Sequence, residues 1–473
     1  MSKRESLIVT TEEIKSQEVY IENLAETVKN KFVTRKPLVN ITTWGCQMNE
    51  HDSENILGML EKIGYEITQD QSEADLIIYN TCAVRENAEL KVYGNLHVLR
   101  RYKEKNPDLI IAVCGCMMQQ PHVVEEIKNI YPHVNLVFGT HNIYKFPELL
   151  KTVMESDETM YDVWDIDGQI VEGLPTQRKH DIKAFVNIMY GCNNFCTYCI
   201  VPYTRGRERS RNPEDIISEA KRLVEGGVKE ITLLGQNVNS YGKTFTPQYP
   251  FHKLLEDINN IEGLERIRFM TSHPKDISDE VIDAISNLDK LCENLHLPIQ
   301  SGSSRLLKEM RRHYTKEDYL EIIKKVKNKV NDIGITTDIM VGFPGETEED
   351  FVHTMDVVEK VQYDLAFTYL YSVRKGTVAE NMENHVDAKT KKDRFDRLLS
   401  VVNEAAIQTA HKYQDKVVEV LVEGVSKKNP EYMMGRNRQN KLVNFKGTED
   451  LVGKLVNVKI TEPRSFSLIG EMI

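Results

Sequence analysis

From residue 37 onward, short apolar runs rich in β-branched residues alternate with stretches whose apolar positions recur every three or four residues. In the first such segment, residues 37–155, the runs are "PLVNITT", "ADLIIYN", "DLIIAVC" and "VNLVFGT". Each ends in a polar or Gly-containing turn and reads as a strand. Between the first two, "ENILGMLEKIG" places Ile56, Leu57, Leu60 and Ile63 on one helical face. Strands alternating with helices predict an α/β fold with a doubly wound parallel sheet. Residues 180–410 repeat the pattern through "AFVNIMY", "EITLLGQNVNSYG", "RIRFMTSHP", "NLHLPIQSGS", "ITTDIMVGFPGE" and "DLAFTYLYS". Six strand–loop–helix units predict a partial (β/α)6 TIM-like barrel, open on one side, with its site at the carboxyl ends of the strands.

The pattern then turns all-β in residues 411–473, where "VVEVLVEGV", "YMMGRNRQNKLVNFKG" and "LVNVKITEPRSFSLIGEMI" predict a small barrel of the oligonucleotide-binding type. Residues 1–36 contain "TEEIKSQEVYIENLAETVKNKF", polar with Ile21, Leu24 and Val28 at helical spacing, and read as a helical or frayed extension. Residues 156–179, which hold most of "DVWDIDGQIVEGLPTQRKHD", read as a linker with one short hairpin.

Composition narrows the class. A chain of 473 residues exceeds one ordinary core. Its 40% hydrophobic and 28% charged content is that of a folded soluble protein. No apolar run approaches the ~20 residues that span a bilayer. Eight cysteines without a secretory leader argue for a reducing compartment, hence the cytoplasm, where clustered thiols bind metals or react. The net charge of −11 weighs mildly against a nucleic-acid partner. Residues 411–473 alone carry 11 Lys and Arg against 8 Asp and Glu, however. Lys427, Lys428, Arg436, Arg438, Lys441 and Lys446 cluster there beside Tyr432 and Phe445. Cations next to aromatic rings suit a nucleic-acid strand, and a solvated charged face explains them equally well.

The cysteines carry the chemistry. Cys46, Cys82 and Cys116 each follow one of the first three strands, in "TTWGCQMNEHDSE", "YNTCAVRENA" and "CGCMMQ". Ligands of doubly wound sheets bind outside the carboxyl ends of the strands, so these distant thiols are expected to converge there rather than to fill the core. Cys114 lies within the third strand and Cys292 precedes a barrel strand at the wrong end, so both are expected to be structural. Cys192, Cys196 and Cys199 form CxxxCxxC in the loop leaving the first barrel strand. Zinc prefers a closed set of four ligands, and no partner pair follows. A four-iron cluster held by three thiolates keeps one iron open for a small molecule.

CxxxCxxC after the first strand of a βα barrel resembles the signature of radical S-adenosylmethionine enzymes. "GCQMNEHDSE", "NTCAVRENA", "GCMMQ", "TYCIVPYTRGRERSR", "LLGQNVNSYG", "HLPIQSGS" and "VGFPGET", in this order over nearly the whole chain, are similar to the methylthiotransferases of that superfamily. Met118, Met270, Asn437 and Lys441 depart from the commoner residues, and none is a cysteine.

The resemblance implies two 4Fe-4S clusters and S-adenosylmethionine. Cys192, Cys196 and Cys199 hold the cluster that cleaves the cofactor, and Cys46, Cys82 and Cys116 hold an auxiliary cluster that carries the sulfur to be inserted. One cofactor molecule supplies the methyl group and a second the radical. The substrate implied is carbon 2 of isopentenyl-adenosine beside the anticodon of tRNA. The alternatives are threonylcarbamoyl-adenosine tRNA, an aspartate of a ribosomal protein, or a non-catalytic metal-containing RNA-binding module. For the cofactor's polar groups the expected residues are Gly235, Gln236 and Asn237, then Ser272, His273, Gln300 and Ser301, with backbone at Val341 and Gly342 near the adenine. Each of these suits a helix cap or barrel lining as readily. Arg205, Arg207, Arg209 and Arg211 suit phosphate contact, although Glu208 among them allows an internal salt-bridge network. Arg311 and Arg312 form a second phosphate candidate, and the terminal segment, with Arg436, Arg438 and Lys441, resembles the TRAM module. Further partners implied are an electron donor of the flavodoxin or ferredoxin type and a sulfur donor. No membrane is implied, and a monomer suffices.

Overall fold

The computed structural model describes residues 6–7, 9–84, 86–156, 158–164, 167–168, 170–178 and 181–473. The chain divides into two compact units. One comprises Met1–His180, Tyr190–Asn193 and Cys199–Arg211; the other comprises Asp181–Met189, Asn194–Tyr198 and Asn212–Ile473.

The first unit is built on six parallel strands in the order Glu66–Ile67, Leu38–Trp44, Leu76–Thr81, Ile110–Gly115, Leu136–Phe138 and Met160–Asp162. Successive residues of the central strands feed opposite faces, as the pleat demands. Ile78, Ala112 and Leu136 pack with Leu60 and Ile63 of helix Gln47–Ile63 and Leu149 and Leu150 of helix Phe146–Glu155. Ile77, Ile111 and Val137 pack with Leu96 and Leu99 of helix Glu86–Lys105 and Ile127 of helix Pro121–Ile130. The doubly wound sheet expected from the pattern is present.

Of the two forms expected for the N-terminal segment the helical one is present, while the linker expectation changes. Helix Thr11–Lys31 opens on a capping box between Thr10 and Glu13 and buries Leu24 and Val28 in the sheet's helical layer. The supposed linker contributes the edge strand Met160–Asp162, which pairs with Leu136–Phe138. In place of a hairpin, Asp167–Gly168 pairs in parallel with Ser6–Leu7.

In the second unit six barrel strands, all parallel, form two three-stranded sheets. Glu230–Leu234 lies between Lys183–Asn187 and Arg266–Phe269, and Gly334–Val341 lies between Asn294–His296 and Leu365–Leu370. A parallel bridge between Ile267 and Leu291 links the two sheets. Residues 417–472 close into a five-stranded barrel, Val417–Val425, Tyr432–Asn437, Leu442–Lys446, Ser467–Met472 and Leu455–Pro463 around the circuit. Gly435 and Gly470 permit that closure, since a Cβ at either would lie 2.2–2.4 Å from a neighbouring carbonyl oxygen.

The two barrels share one unit because the terminal barrel docks on the amino ends of the (β/α)6 strands. Arg268 donates from Nη1 to the Arg438 carbonyl (2.7 Å) and from Nη2 to the Asn437 carbonyl (2.8 Å). Arg266 reaches the Arg436 carbonyl (2.6 Å) and the Glu419 carboxylate (2.8 Å). Asn294 donates to the Gln439 carbonyl, and Lys183 pairs with Glu423 at 2.8 Å. The turn at residues 437–441 is thereby pinned under the strands.

Candidate cluster and cofactor sites

In the first unit three neighbouring strands end in register. Thr81 is paired with Trp44 on one side and Gly115 on the other. Cys82 and Cys116 are the next residues along their strands, and Cys46 lies two beyond Trp44 as the N-cap of helix Gln47–Ile63. The three thiols predicted to converge therefore lie at the carboxyl ends of three adjacent strands. Cys114, as expected, is buried within its strand.

A layer of polar side chains supports this edge. Asn49 donates to the Asn80 amide oxygen (3.0 Å) and the Thr81 carbonyl (3.3 Å), and Asn80 donates to the Asn49 carbonyl and Ser53 Oγ, both at 2.9 Å. Fully enclosed amides with their bonds made hold a loop in one geometry. Gly115 belongs to the same device. Its φ is +97°, and a Cβ there would lie 2.4 Å from Asn80 Oδ1. Sequence reasoning passed over Asn49, Asn80 and Gly115, although "QMNE", "YNTC" and "VCGC" hold the polar and glycine residues that mark them.

The thiols differ in their surroundings. Cys46 Sγ faces Asn49 Oδ1 at 3.4 Å, and the Val84 amide donates to Cys82 Sγ at 3.3 Å. Cys116 receives Arg205 Nε at 3.1 Å. Burial pushes the Cys116 thiol up to about 12; Arg205 opposes this, while Cys82, Cys46 and Asp52 add to it. The electrostatic influence of Cys82 and Cys46 on Cys116 marks the three as one neighbourhood. Among the described residues no three His, Cys, Asp or Glu side chains lie close enough to bind a single ion directly. A four-iron cluster attaches each thiolate to a different iron, so its ligands need not converge as those of one ion do. The donor set, three soft sulfurs at one sheet edge beside a buried cation, fits such a group.

In the second unit the carboxyl ends of strands Glu230–Leu234 and Arg266–Phe269 gather buried polar atoms that lack hydrogen-bond partners: Asn237 Oδ1, Asn239 Nδ2, Ser272 Oγ and His273 Nε2. Such atoms are rare in a folded interior and mark a place for polar ligand groups. Asn237, Ser272 and His273 are among the expected cofactor residues; Asn239 was missed, though it stands in "LLGQNVNSYG". Burial, then the charges of Arg312 and Lys275, push the His273 imidazole down to about 2, so it is neutral. Thr271, just before them, holds φ at +69°, a costly conformation for a β-branched residue. Gly235 lies against Met189, with room for no Cβ, and Gln236 is half-buried beside it. Gln300, also at φ +69°, bridges backbone to Asp338 and Met340. Ser301 is occupied within the fold, accepting from the Ser303 amide and meeting Thr354. The Val341 carbonyl accepts from the Tyr371 amide, and the Gly342 amide donates to the Glu346 carboxylate at 3.1 Å. The structure thus groups Asn237, Ser272 and His273 and commits Ser301, Val341 and Gly342 elsewhere.

The CxxxCxxC cysteines divide between the units, Cys192 and Cys199 in the first and Cys196 in the second. Within the second unit Arg312 is wholly enclosed. It donates to Tyr314 Oη (3.0 Å), the Pro298 carbonyl (3.0 Å) and Cys196 Sγ (3.5 Å). Cys292, as expected, is buried ahead of its strand.

Several residues expected to meet phosphate have other work. Arg205 is held by Asp52 and Cys116, and Arg211 forms a two-point pair with Glu172. Arg312 is spent as above. Lys441 lies buried against Asp364, and Arg438 is clamped by Glu293 and the Asp289 and Leu291 carbonyls. Arg436 reaches Glu423 and the Asn440 carbonyl, and Arg209 donates to the Arg205 carbonyl. A guanidinium whose donors are taken inside the fold has none for phosphate, which corrects the phosphate role for Arg205, Arg211, Arg312, Arg438 and Lys441. Phe445 is fully buried in the small barrel's core and cannot stack on a base. Arg207, Arg311, Lys427, Lys428 and Lys446 are exposed.

Comparison with known proteins follows the same division. Residues 186–358 match the Radical SAM superfamily model, residues 38–139 the Uncharacterized protein family UPF0004, and residues 411–473 the TRAM domain. The tRNA-2-methylthio-N(6)-dimethylallyladenosine synthase of Clostridioides difficile (strain 630) is 62% identical, covering 100% of both chains. That of Alkaliphilus oremlandii (strain OhILAs) is likewise 62% identical over 100% of both. The chain belongs to the tRNA-2-methylthio-N(6)-dimethylallyladenosine synthase family. The fold has a distant solved counterpart in the radical S-adenosylmethionine methyltransferase TsrM of Kitasatospora setae, with TM-score 0.54 and 14% identity over 73% of this chain and 77% of that one. The family and fold expected from the motifs are both borne out. No helix among the described residues is long and apolar enough to cross a membrane.

Proposed function

We propose that this chain methylthiolates carbon 2 of isopentenyl-adenosine beside the anticodon of tRNA, with Cys192, Cys196 and Cys199 binding one 4Fe-4S cluster and Cys46, Cys82 and Cys116 a second. The observation that carries the proposal is the in-register ending of three adjacent strands at Trp44, Thr81 and Gly115, just before Cys46, Cys82 and Cys116, in a chain of this family that also holds CxxxCxxC. Cys192, Cys196 and Cys199 would hold the group that supplies one electron for cleaving S-adenosylmethionine to methionine and a 5′-deoxyadenosyl radical, and Cys46, Cys82 and Cys116 would hold the one that carries the sulfur.

The chain's own residues do the positioning. Asn49, Asn80 and Gly115 hold the loops that present the first thiol set. Asn237 offers an acceptor, Asn239 and His273 a donor each, and Ser272 a hydroxyl to the polar groups of S-adenosylmethionine, the His273 Nδ1 being taken by the Lys275 amide. Because His273 is neutral at physiological pH, it meets the cofactor's sulfonium without adding like charge. An unpaired anticodon-loop base can be splayed out and read on its edges. Lys427, Lys428 and Lys446 on the small barrel, with Arg207 and Arg311, are exposed and offer positive charge to the phosphates. An external electron donor of the flavodoxin or ferredoxin type and an external sulfur donor complete the cycle, in the cytoplasm, and one chain suffices.

The test is anaerobic incubation of the reconstituted protein with isopentenylated tRNA, S-adenosylmethionine and a reductant, followed by nucleoside mass analysis. A methylthio-adenosine product is expected. Formation of 5′-deoxyadenosine without that product would reject the substrate while keeping the radical chemistry; absence of both would reject the enzyme.

A further inference from the structure

The loop after CxxxCxxC carries a cation whose surroundings are those of no phosphate ligand. Arg205 is only 4% exposed. Its Nε donates to Cys116 Sγ at 3.1 Å and its Nη2 to Asp52 Oδ2 at 2.7 Å. Asp52 is itself buried, on helix Gln47–Ile63, whose N-cap is Cys46. A sulfur, a guanidinium and a carboxylate thus stand in line within the first unit. The planar fork of arginine makes both bonds at once, which a lysine ammonium on one stem does not reproduce.

This arrangement has a consequence for any thiolate-bound iron group. Reduction adds negative charge to the iron and its sulfurs. Hydrogen bonds to the sulfurs and the net charge nearby are two of the levers that set the potential of an iron–sulfur site. A cation touching a ligand sulfur favours the reduced state, and an anion behind that cation weakens its effect. Both act through an interior of low effective dielectric, where charge is poorly screened.

We infer that Arg205 and Asp52 act as an opposed pair that sets the electron affinity of the cluster bound by Cys46, Cys82 and Cys116, Arg205 raising it and Asp52 restraining it. The inference rests on the reading of those three cysteines as cluster ligands. It gives "TRG" in "YTRGRER" a role in the sulfur-carrying half of the protein, although it follows the other cysteine set in the sequence.

The experiment uses the full chain with Cys192, Cys196 and Cys199 all replaced by alanine, so that only the auxiliary cluster can form. After anaerobic reconstitution, iron per chain is counted and the reduced fraction is read by electron paramagnetic resonance at a series of fixed solution potentials. In that background Asp52→Asn is expected to raise the reduced-to-oxidised ratio at a given potential about tenfold, ~59 mV for one electron. Adding Arg205→Gln to Asp52→Asn is expected to lower the ratio about tenfold from that value. Arg205→Lys with Asp52→Asn should fall between the two. The double substitutions leave no buried carboxylate unpaired, which Arg205→Gln alone would do at the risk of unfolding. Opposite shifts with about four irons retained in each variant support the inference. Equal midpoints in all variants, or loss of iron in both directions of charge change, overturn it and show that Arg205 merely ties its loop to the sheet. If the parent background binds no iron, the ligand assignment itself fails and the inference falls with it.

Discussion

Arg268→Met should release the terminal barrel from the barrel above it. Arg268 is buried and makes three connections: the Glu230 carboxylate at 2.9 Å and the Arg438 and Asn437 carbonyls at 2.7 and 2.8 Å. Methionine fills much of the same volume, so cavity cost is small. What remains is a buried carboxylate without its closest cation and two carbonyls without donors. Removing one partner of a buried ion pair costs about 3–5 kcal/mol. The assay is native-state hydrogen exchange in strands Arg266–Phe269 and Tyr432–Asn437, where opening free energies are read amide by amide. Three to five kcal/mol corresponds to exchange roughly a hundredfold to a few thousandfold faster. Pairing the change with Glu230→Gln removes the orphaned charge and should recover most of the loss.

The pH dependence of the same variant carries a sign. Burial raises the Glu230 carboxyl, but Arg268 first, then Lys183 and Arg266, hold it below its ordinary range in the native protein. That contribution is present above the ordinary carboxyl pKa and fades as pH falls through the native one. In Arg268→Met burial is less opposed and the native carboxyl rises, so the variant loses stability as pH climbs through the new value. The gap between the two proteins should therefore widen from pH 5 to pH 8. A gap independent of pH, exchange less than tenfold faster, or a double variant no better than the single would refute the reasoning.

Four further outcomes are expected. Cys196→Ala should abolish 5′-deoxyadenosine formation, whereas Cys82→Ala should keep it and lose the methylthio product; both are read by mass analysis of one reaction mixture. Replacing Lys427, Lys428 and Lys446 together by Gln should weaken tRNA binding and flatten the slope of log K against log salt by about 2, at ~0.7 per lost single-strand phosphate contact. Phe445→Ala, by contrast, should cost about 3–5 kcal/mol of small-barrel stability and leave the salt slope unchanged, as seen by calorimetry and binding titration. Gly115→Ala should reduce iron retained per chain after reconstitution, because the Cβ displaces Asn80 beneath Cys82 and Cys116; iron equal to the parent's would remove Gly115 from the supporting layer.

The elements were legible where burial follows a simple period. Strand Leu76–Thr81 is buried along its length and reads as an apolar run; helix Gln47–Ile63 shows its stripe and ends at Gly64 in the left-handed region. The short edge strands Glu66–Ile67 and Met160–Asp162 escaped, because two or three residues at a sheet margin carry no periodic signal. The placement of Cys46, Cys82 and Cys116 past three strand ends was legible because each follows an apolar run within two residues of its end. Asn49 and Asn80 were not: an asparagine in sequence does not show whether its amide is buried or wet.

The basic residues were left between phosphate contact and internal pairing for a reason that applies beyond this chain. A cation is visible in sequence, but its partner is not, and the partner decides its work. Arg205 meets Asp52 across 153 residues and Arg438 meets Glu293 across 145. Lys441 reaches the Asp364 carbonyl across 77. Clustered charge in "RGRERSR" and "GRNRQNK" suited a phosphate-binding surface and internal or solvated charge equally well. The fold instead buries Arg205, Arg211 and Lys441, clamps the half-buried Arg438 on Glu293, and leaves Arg207, Lys427, Lys428 and Lys446 exposed. Burying a charge is tolerable only when it is met by an opposite charge or by aligned carbonyls. Each inward cation therefore marks a junction that the fold must complete, whereas Lys427, Lys428 and Lys446 lie on the surface, where losing a charge costs the fold little. Charge reversal should separate the two groups, destabilising the first set whether or not RNA is present and weakening only binding in the second.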